Sequence, residues 1–183
     1  MNGLRAAIRK GFFAWLKEES PDVLLIQETK AKPEQIDLSE AEALGYKAYF
    51  HSAEKAGYSG VAILTKIDPD RIEEGCGLSK YDSEGRILRA DFGDISILST
   101  YFPSGSSGEI RQDFKMDFLG DFMGFVNDLK KSRSKLVISG DYNICHRPID
   151  IHNPVSNKKS SGFLPEEREW MSQFLDSGFI DTF

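Results

Sequence analysis

The sequence predicts an α/β domain with a mixed or largely antiparallel sheet. Three observations predict this class. Apolar runs typical of strands alternate with amphipathic segments typical of helices, and a tight-hairpin signal joins two of the strand candidates. The composition, 40% apolar and 28% charged over 183 residues, is that of an ordinary folded chain of about one domain.

Three helices are predicted. The first covers residues 4–18 and ends before Ser20-Pro21, because the residue before a proline is disfavoured in helical geometry. Its apolar positions recur every fourth residue at Leu4, Ile8, Phe12 and Leu16, with Trp15 beside them. The longest covers residues 109–130 and carries a largely aromatic stripe. The last begins at Leu164-Pro165, where proline suits the first turn, and ends at Gly178.

Six segments have the apolar runs or alternation expected of strands. They are residues 22–26, 47–51, 60–65, 86–92, 95–102 and 136–139. Gly93-Asp94, between the fourth and the fifth, is a strong signal for a two-residue hairpin turn.

Composition excludes several classes of protein. Two cysteines, Cys76 and Cys145, are too few for a disulfide scaffold or a four-cysteine metal site. The net charge of −6 argues mildly against a non-specific nucleic-acid coat protein, although an acidic body can still carry a basic face. No window approaches the ~20 apolar residues of a membrane span, and no secretory signal opens the chain. We therefore expect a cytoplasmic protein without membrane contact, nucleoid-associated if bacterial.

Polar side chains follow two of the predicted strands where these end. Glu28 comes just after the run at 22–26, where a carboxylate suits Mg²⁺; a solvated loop acid is an equal alternative. Asp141 and Asn143 follow residues 136–139 and, two apart, would share one side of an extended segment. They could orient a water molecule and bind an oxyanion, or form an Asx turn. Two strand-end acids in one domain favour a metal or hydrolytic site.

Two further segments are candidates for binding phosphate. Tyr101 ends an apolar run, and its hydroxyl could donate to a phosphate oxygen, although a tyrosine packed in the core is the more usual case. The polar loop 153–162 contains Asn157, Lys158 and Lys159. Such a loop could meet phosphates or could be plain solvated surface.

The remaining metal-binding and nucleophilic side chains do not form recognisable sites. The three histidines, His51, His146 and His152, lack the spacing of zinc ligands. Cys145 has no evident partner base and is interpreted as a structural or incidental thiol.

Together the segments resemble the exonuclease III family of apurinic/apyrimidinic (AP) endonucleases, within the endonuclease/exonuclease/phosphatase superfamily. The matching segments span almost the whole chain: residues 2–6, 25–30, 58–66, 84–86, 101–105, 140–143, 162–170 and 181–183. The resemblance implies a four-layer α/β fold, a two-sheet sandwich flanked by helices.

The resemblance also implies an activity. A member of this family would hydrolyse the DNA phosphodiester 5′ to an abasic site and trim 3′ ends as a 3′-to-5′ exonuclease. The cofactor would be Mg²⁺, with Mn²⁺ as a substitute. The partner would be double-stranded DNA with abasic sites or blocked 3′ ends, and the protein would be a monomer.

The roles of the family's residues carry over to matching positions. Glu28 resembles the metal-binding glutamate, and Asn2 lies at a position that contributes to the same metal environment. Asp141 resembles the aspartate that orients or deprotonates water, Asn143 the asparagine that holds water and phosphate, and Tyr101 the phosphate-contacting tyrosine. Further contacts to DNA or phosphate are expected from Ser104, Asn157, Ser160, Lys158 and Arg5; at Ser104 and Ser160 relatives often carry asparagine.

Two departures from the family pattern leave alternatives open. Relatives begin with a further strand that ends in a functional asparagine. They also continue past Phe183 with another aspartate and an Asp-His pair, and no residue here matches that histidine. We therefore expect residues 1–183 to be a single domain lacking its first strand and its C-terminal part. The alternatives are a catalytically inactive fragment of such a domain and a superfamily phosphodiesterase acting on another phosphoester.

Overall fold

The computed structural model describes residues 2–182, which form two compact units. The first unit comprises the residues up to Tyr101 together with Leu129–Asp141. The second comprises Phe102–Asp128 and the residues from Tyr142 onward. Whether they belong to one domain, as predicted, stays a prediction.

The first unit contains all seven strands of the described residues, arranged in two sheets. The strands are β1 (Val23–Gln27), β2 (Lys47–His51), β3 (Val61–Thr65), β4 (Arg71–Glu74), β5 (Ile87–Phe92), β6 (Ile95–Tyr101) and β7 (Lys135–Asp141). The first sheet has the antiparallel order β1-β3-β2, and the second has the order β4-β5-β6-β7. Among the strands of residues 2–182, only β6 and β7 pair in parallel. The six predicted strands are confirmed to within two residues at each end. The seventh, β4, was not predicted because its sequence Arg-Ile-Glu-Glu has a single apolar residue.

The described residues also form seven α-helices. They are α1 (Leu4–Arg9), α2 (Phe12–Glu19), α3 (Ser39–Ala43), α4 (Ser79–Asp82), α5 (Glu109–Lys130), α6 (Pro154–Asn157) and α7 (Pro165–Asp176), with 3₁₀ turns at Pro33–Gln35 and Pro148–Asp150. Within residues 2–182, no helix has both the length and the apolar character to cross a membrane.

The prediction of one helix over residues 4–18 is wrong. Gly11 has a left-handed backbone (φ 94°) and separates α1 from α2. Leu4, Phe12 and Leu16 are buried as expected, but Trp15 remains 44% exposed. A period of four residues continues through the glycine, so the apolar pattern did not reveal the break.

The first unit is a two-sheet sandwich covered by helices on the outer face of its first sheet. Val61 and Ile63 of β3 pack between the sheets against Leu88 and Ala90 of β5, all of them fully buried. The opposite face of the first sheet packs against α1 and α2, in a cluster that includes Leu4, Phe12, Leu16, Ile26 and Leu64. This arrangement confirms the predicted mixed α/β class.

The core of the second unit is mainly aromatic. Phe102 packs against Phe118 of α5 and Trp170 of α7, with ring-centroid distances of 5.0 and 5.7 Å. The indole N–H of Trp170 donates to the carbonyl oxygen of Leu119 at 2.8 Å. The aromatic stripes on α5 and α7 therefore form a core.

A close contact at Gly140 explains why this position in β7 carries glycine. A Cβ atom added there would lie 1.9 Å from the carbonyl oxygen of Thr100 in β6. We expect Gly140→Ala to lower the free energy of unfolding by about 1–3 kcal/mol, because the two strands must separate. The urea midpoint measures this effect. Gly120→Ala, at an exposed helical position with nothing within 4 Å, is the control and should be neutral or stabilising by up to about 1 kcal/mol. A wild-type midpoint for Gly140→Ala would contradict this reading.

Candidate active site

Glu28 lies directly after β1 in a backbone conformation that surrounding hydrogen bonds enforce. Its φ is 61°, and the neighbouring Lys30 and Ser59 also have positive φ values. The N–H groups of Thr29 and Lys30 donate to the carbonyl oxygens of Gly60 and Ser59 at 3.0 and 2.9 Å. Left-handed conformations of non-glycine residues cost energy and persist only where the surroundings hold them. The exit of β1 is therefore a fixed, strained turn that carries Glu28.

The N-terminal segment brings Asn2 beside this turn. The N–H groups of Gly3 and Leu4 donate to the carbonyl oxygens of Glu28 and Thr29 at 3.0 and 2.8 Å. The Lys30 ammonium lies 2.7 Å from Asn2 Oδ1 and 3.0 Å from Glu28 Oε1. A carboxylate and an amide oxygen thus converge on one cationic centre. Sequence reasoning assigned no role to Lys30.

Tyr101, the last residue of β6, contacts the same carboxylate. Its hydroxyl donates to Glu28 Oε1 at 3.2 Å. Burial, followed by the negative charge of Glu28 and the hydrogen bond to it, raises the pKa of Tyr101 to about 12. The phenol is therefore a neutral hydrogen-bond donor at physiological pH.

Arg86 fixes Tyr101 from the other side. Its guanidinium is almost fully buried and donates to the carbonyl oxygen of Tyr101 at 2.8 Å, to Glu84 Oε2 at 2.7 Å and to the hydroxyl of Tyr58 at 3.1 Å. It also lies 5.2 Å from the centre of the Tyr101 ring. A buried arginine needs such a complete set of acceptors. The matching segments at 58–66 and 84–86 contained these residues, but nothing in them indicated this role.

Asp141 ends β7 and stands opposite Tyr101 in the parallel register of β6 and β7. Its side chain is exposed, and its charge is one of the causes that raise the pKa of Tyr101. The first unit therefore brings together Glu28, Asn2, Tyr101 and Asp141. Within residues 2–182, no three side chains among His, Cys, Asp and Glu are gathered as a metal cluster.

Asn143 belongs to the second unit and does not continue an extended segment. Its φ of 51° turns the chain, which corrects the expectation that Asp141 and Asn143 share one side of an extended strand. Its side-chain amide donates to the carbonyl oxygen of Phe102 at 2.9 Å. Its own carbonyl oxygen accepts from the buried ammonium of Lys115 at 2.7 Å. Lys115 was not identified from the sequence.

The predicted DNA-contacting residues lie in loops, at the end of α6 and on α1. Ser104 Oγ and Ser106 Oγ are 2.9 Å apart. Asn157 ends α6, and its side-chain amide donates to the carbonyl oxygens of His152 and Asn153 in the loop that contains this short helix. Lys158 and Ser160 are exposed in this loop, and Arg5 is exposed on α1.

Two of the histidines make hydrogen bonds within the fold, and Cys145 lies in an environment that does not favour a thiolate. His51 is buried, with Nδ1 2.7 Å from the carbonyl oxygen of Ile87, and His146 Nε2 lies 2.9 Å from Ser172 Oγ. Burial, and then the charge of Asp150, raise the pKa of the Cys145 thiol. A raised pKa lowers the thiolate fraction and opposes a nucleophilic role.

A titration tests the environment of Tyr101. The pKa of Tyr101 in the folded protein, about 12, is higher than the ordinary value of 10.0. The contribution of this group to the free energy of unfolding is therefore fully present below pH 10 and is lost as the pH rises towards 12. Tyrosinate formation is followed by ultraviolet absorbance in the wild type and in Tyr101→Phe. The difference between the two titration curves should show one ionisation near pH 12. The matched control, Tyr49→Phe, should retain that ionisation. A difference curve centred near pH 10 would contradict the assigned environment.

Known proteins are similar to this chain along almost its whole length. Residues 3–183 match the endonuclease/exonuclease/phosphatase family. The chain is 38% identical to the DNA repair nuclease APEX1 of Danio rerio and 35% identical to an exodeoxyribonuclease of Bacillus subtilis. The whole chain aligns in both cases, but it spans only 59% of the first relative and 71% of the second.

Solved structures show the same fold. An AP endonuclease from Archaeoglobus fulgidus superposes with a TM-score of 0.88 at 29% identity, over 98% of this chain and 69% of that one. A 3′-5′ exonuclease from Neisseria meningitidis superposes with a TM-score of 0.89 at 23% identity, over 99% of this chain and 70% of that one. The predicted fold class is confirmed.

Proposed function

This chain belongs to the endonuclease/exonuclease/phosphatase family, and from that membership we propose that the full-length protein is a DNA-repair nuclease. It hydrolyses the phosphodiester 5′ to an abasic site in duplex DNA and trims blocked 3′ ends. The names of the relatives from Danio rerio and Bacillus subtilis support this activity. The observation that carries the proposal is the meeting of Glu28 and Tyr101, with Asp141 opposite Tyr101 in the strand register.

The residues at the exit of β1 fit a hard divalent cation. Glu28 Oε1 and Asn2 Oδ1 already share one cationic neighbour, the Lys30 ammonium. Mg²⁺ typically binds one or two carboxylates and keeps several waters, so this small oxygen set is adequate. Glu28 and Asn2 would hold Mg²⁺, with Mn²⁺ as a substitute. When bound, the cation neutralises charge on phosphate oxygens.

The chain's own groups orient the reactants. Asp141 accepts a proton from the attacking water, whose oxygen bonds to phosphorus while the bond from phosphorus to the 3′ oxygen breaks. Solvent returns a proton to the departing 3′ oxygen. When DNA is bound, the neutral Tyr101 hydroxyl turns from Glu28 to donate to a phosphate oxygen, and Asn143 hydrogen-bonds the phosphate and the water. Phosphoryl transfer of this kind needs positioning and charge stabilisation more than covalent catalysis.

Selectivity for damaged DNA follows from the missing base. An abasic nucleotide lacks stacking and pairing, so moving it out of the duplex costs less than moving an intact one. Contacts from Arg5, Lys158, Ser104, Asn157 and Ser160 would bind the phosphate backbone without reading sequence. We propose that the protein acts as a monomer in the compartment that holds the DNA.

The substrate class is tested with two duplexes that differ only by one abasic analogue. The full-length protein should cut the abasic duplex at least about 100-fold faster, and only with Mg²⁺, since EDTA removes the cation. Equal cutting of both duplexes would replace the repair assignment with a general phosphodiesterase. If a protein whose mass includes the family's C-terminal part cut neither duplex, it would be an inactive homologue.

A further inference from the structure

A buried lysine–glutamate pair lies in the second unit and has no part in the proposed chemistry. Lys115 of α5 and Glu167 of α7 are both fully buried, and Lys115 Nζ lies 2.6 Å from Glu167 Oε1. Removing two charges from water is costly, and well-packed apolar residues often replace such pairs without loss of stability. The ion pairing by itself therefore explains these two residues poorly.

The pair's other hydrogen bonds lead to Asn143 and to the loop that follows Ser160. Lys115 Nζ donates to the carbonyl oxygen of Asn143 at 2.7 Å. Glu167 Oε2 accepts the N–H groups of Gly162 and Leu164 at 2.7 and 3.0 Å. Gly162 in turn accepts the N–H of Cys145 at 2.7 Å. The charged pair thus binds the Asn143 segment and its neighbouring loop together.

Asn143 needs this support because its conformation is strained. Its φ of 51° is unfavourable for a residue with a Cβ atom. The Lys115 ammonium holds the Asn143 carbonyl oxygen, while the carbonyl oxygen of Phe102 holds its side-chain amide. Together these two bonds fix both the backbone and the side-chain orientation.

We propose that Lys115 and Glu167 are positioning residues that set the orientation of Asn143 for catalysis. The inference rests on the proposed function, in which Asn143 hydrogen-bonds the scissile phosphate. The pair itself touches no substrate. It acts by holding Asn143 in the left-handed conformation.

The test replaces both charges at once, since removing only one leaves an uncompensated buried charge that threatens folding. In the full-length protein, the double variant Lys115→Met and Glu167→Leu should still fold, but with a lower urea midpoint, because the N–H groups of Gly162 and Leu164 lose their acceptor. Its kcat on the abasic duplex should fall at least about tenfold, with KM changed less than about twofold. The control removes the same charges from exposed positions of α2, by Lys17→Met and Glu18→Leu, and should keep the wild-type kcat.

Two measurements separate positioning from a purely structural role. In an Asn143→Ala background, replacing the pair should cause no further loss of kcat, because the group it orients is gone. The side-chain amide resonance of Asn143 should move or broaden in the double variant, a readout that needs no activity. Inactivity of the wild type would therefore refute the proposed function while the resonance still tests the positioning. The inference would be overturned if the double variant kept the wild-type kcat per folded molecule or left the Asn143 resonance unmoved. It would also be overturned if replacing the pair caused an additive loss of kcat in the Asn143→Ala background.

Discussion

Asp141→Asn should reduce incision of abasic DNA by at least about 10³-fold in kcat, because the amide cannot accept the proton of the attacking water. Asp141 is exposed at the end of β7, so the substitution should leave the unfolding midpoint unchanged within error. Single-turnover incision and urea unfolding, measured on the same preparation, separate the two effects.

The control for Asp141→Asn is Asp176→Asn, at an exposed position of α7. It makes the same chemical change away from the site and should incise at the wild-type rate. If Asp141→Asn retained more than about a tenth of the activity, Asp141 would not be the base.

Glu28→Gln should have an effect of similar size, by a different route. The amide keeps the shape of the side chain but loses the charge that binds Mg²⁺ and pairs with Lys30. We expect kcat to fall by about 10²–10³-fold or more, and Mg²⁺ affinity, measured by calorimetry without DNA, to fall with it.

Glu18→Gln on the exposed face of α2 is the matched control for Glu28→Gln and should change neither quantity. Unchanged Mg²⁺ affinity in Glu28→Gln would remove Glu28 from the metal site. If Glu28→Gln bound Mg²⁺ weakly but still incised abasic DNA at the normal rate at low Mg²⁺ concentration, the metal would not be needed at this position.

The strand-end residues could be predicted from the sequence because they depend on local pattern. The apolar run of β1 ends at Ile26, so Glu28, two residues later, was expected at an end of the sheet. Asp141 and Tyr101 follow the same logic at the ends of β7 and β6. Their juxtaposition follows from the parallel pairing of these strands, which is a long-range property.

The burial of charged side chains could not be predicted from the sequence, because the periodic pattern of apolar residues places charged residues on the solvent-facing side of a helix or strand. Lys115 pairs with a residue 52 positions away, and Arg86 bonds to Tyr58, 28 positions away. Nothing near either residue in the sequence marks its burial. Likewise, the left-handed backbone of Asn143 results from tertiary contacts with Phe102 and Lys115.

The source of the oxygen on the product phosphate tests most directly whether the protein hydrolyses the bond 5′ to an abasic site. Incision of an abasic duplex by the full-length protein in ¹⁸O-labelled water should leave a 3′ hydroxyl and a 5′ phosphate that carries one labelled oxygen, as mass spectrometry of the two fragments would show. An unlabelled 5′ phosphate opposite an unsaturated 3′ sugar would instead indicate elimination of the abasic sugar and would contradict the account.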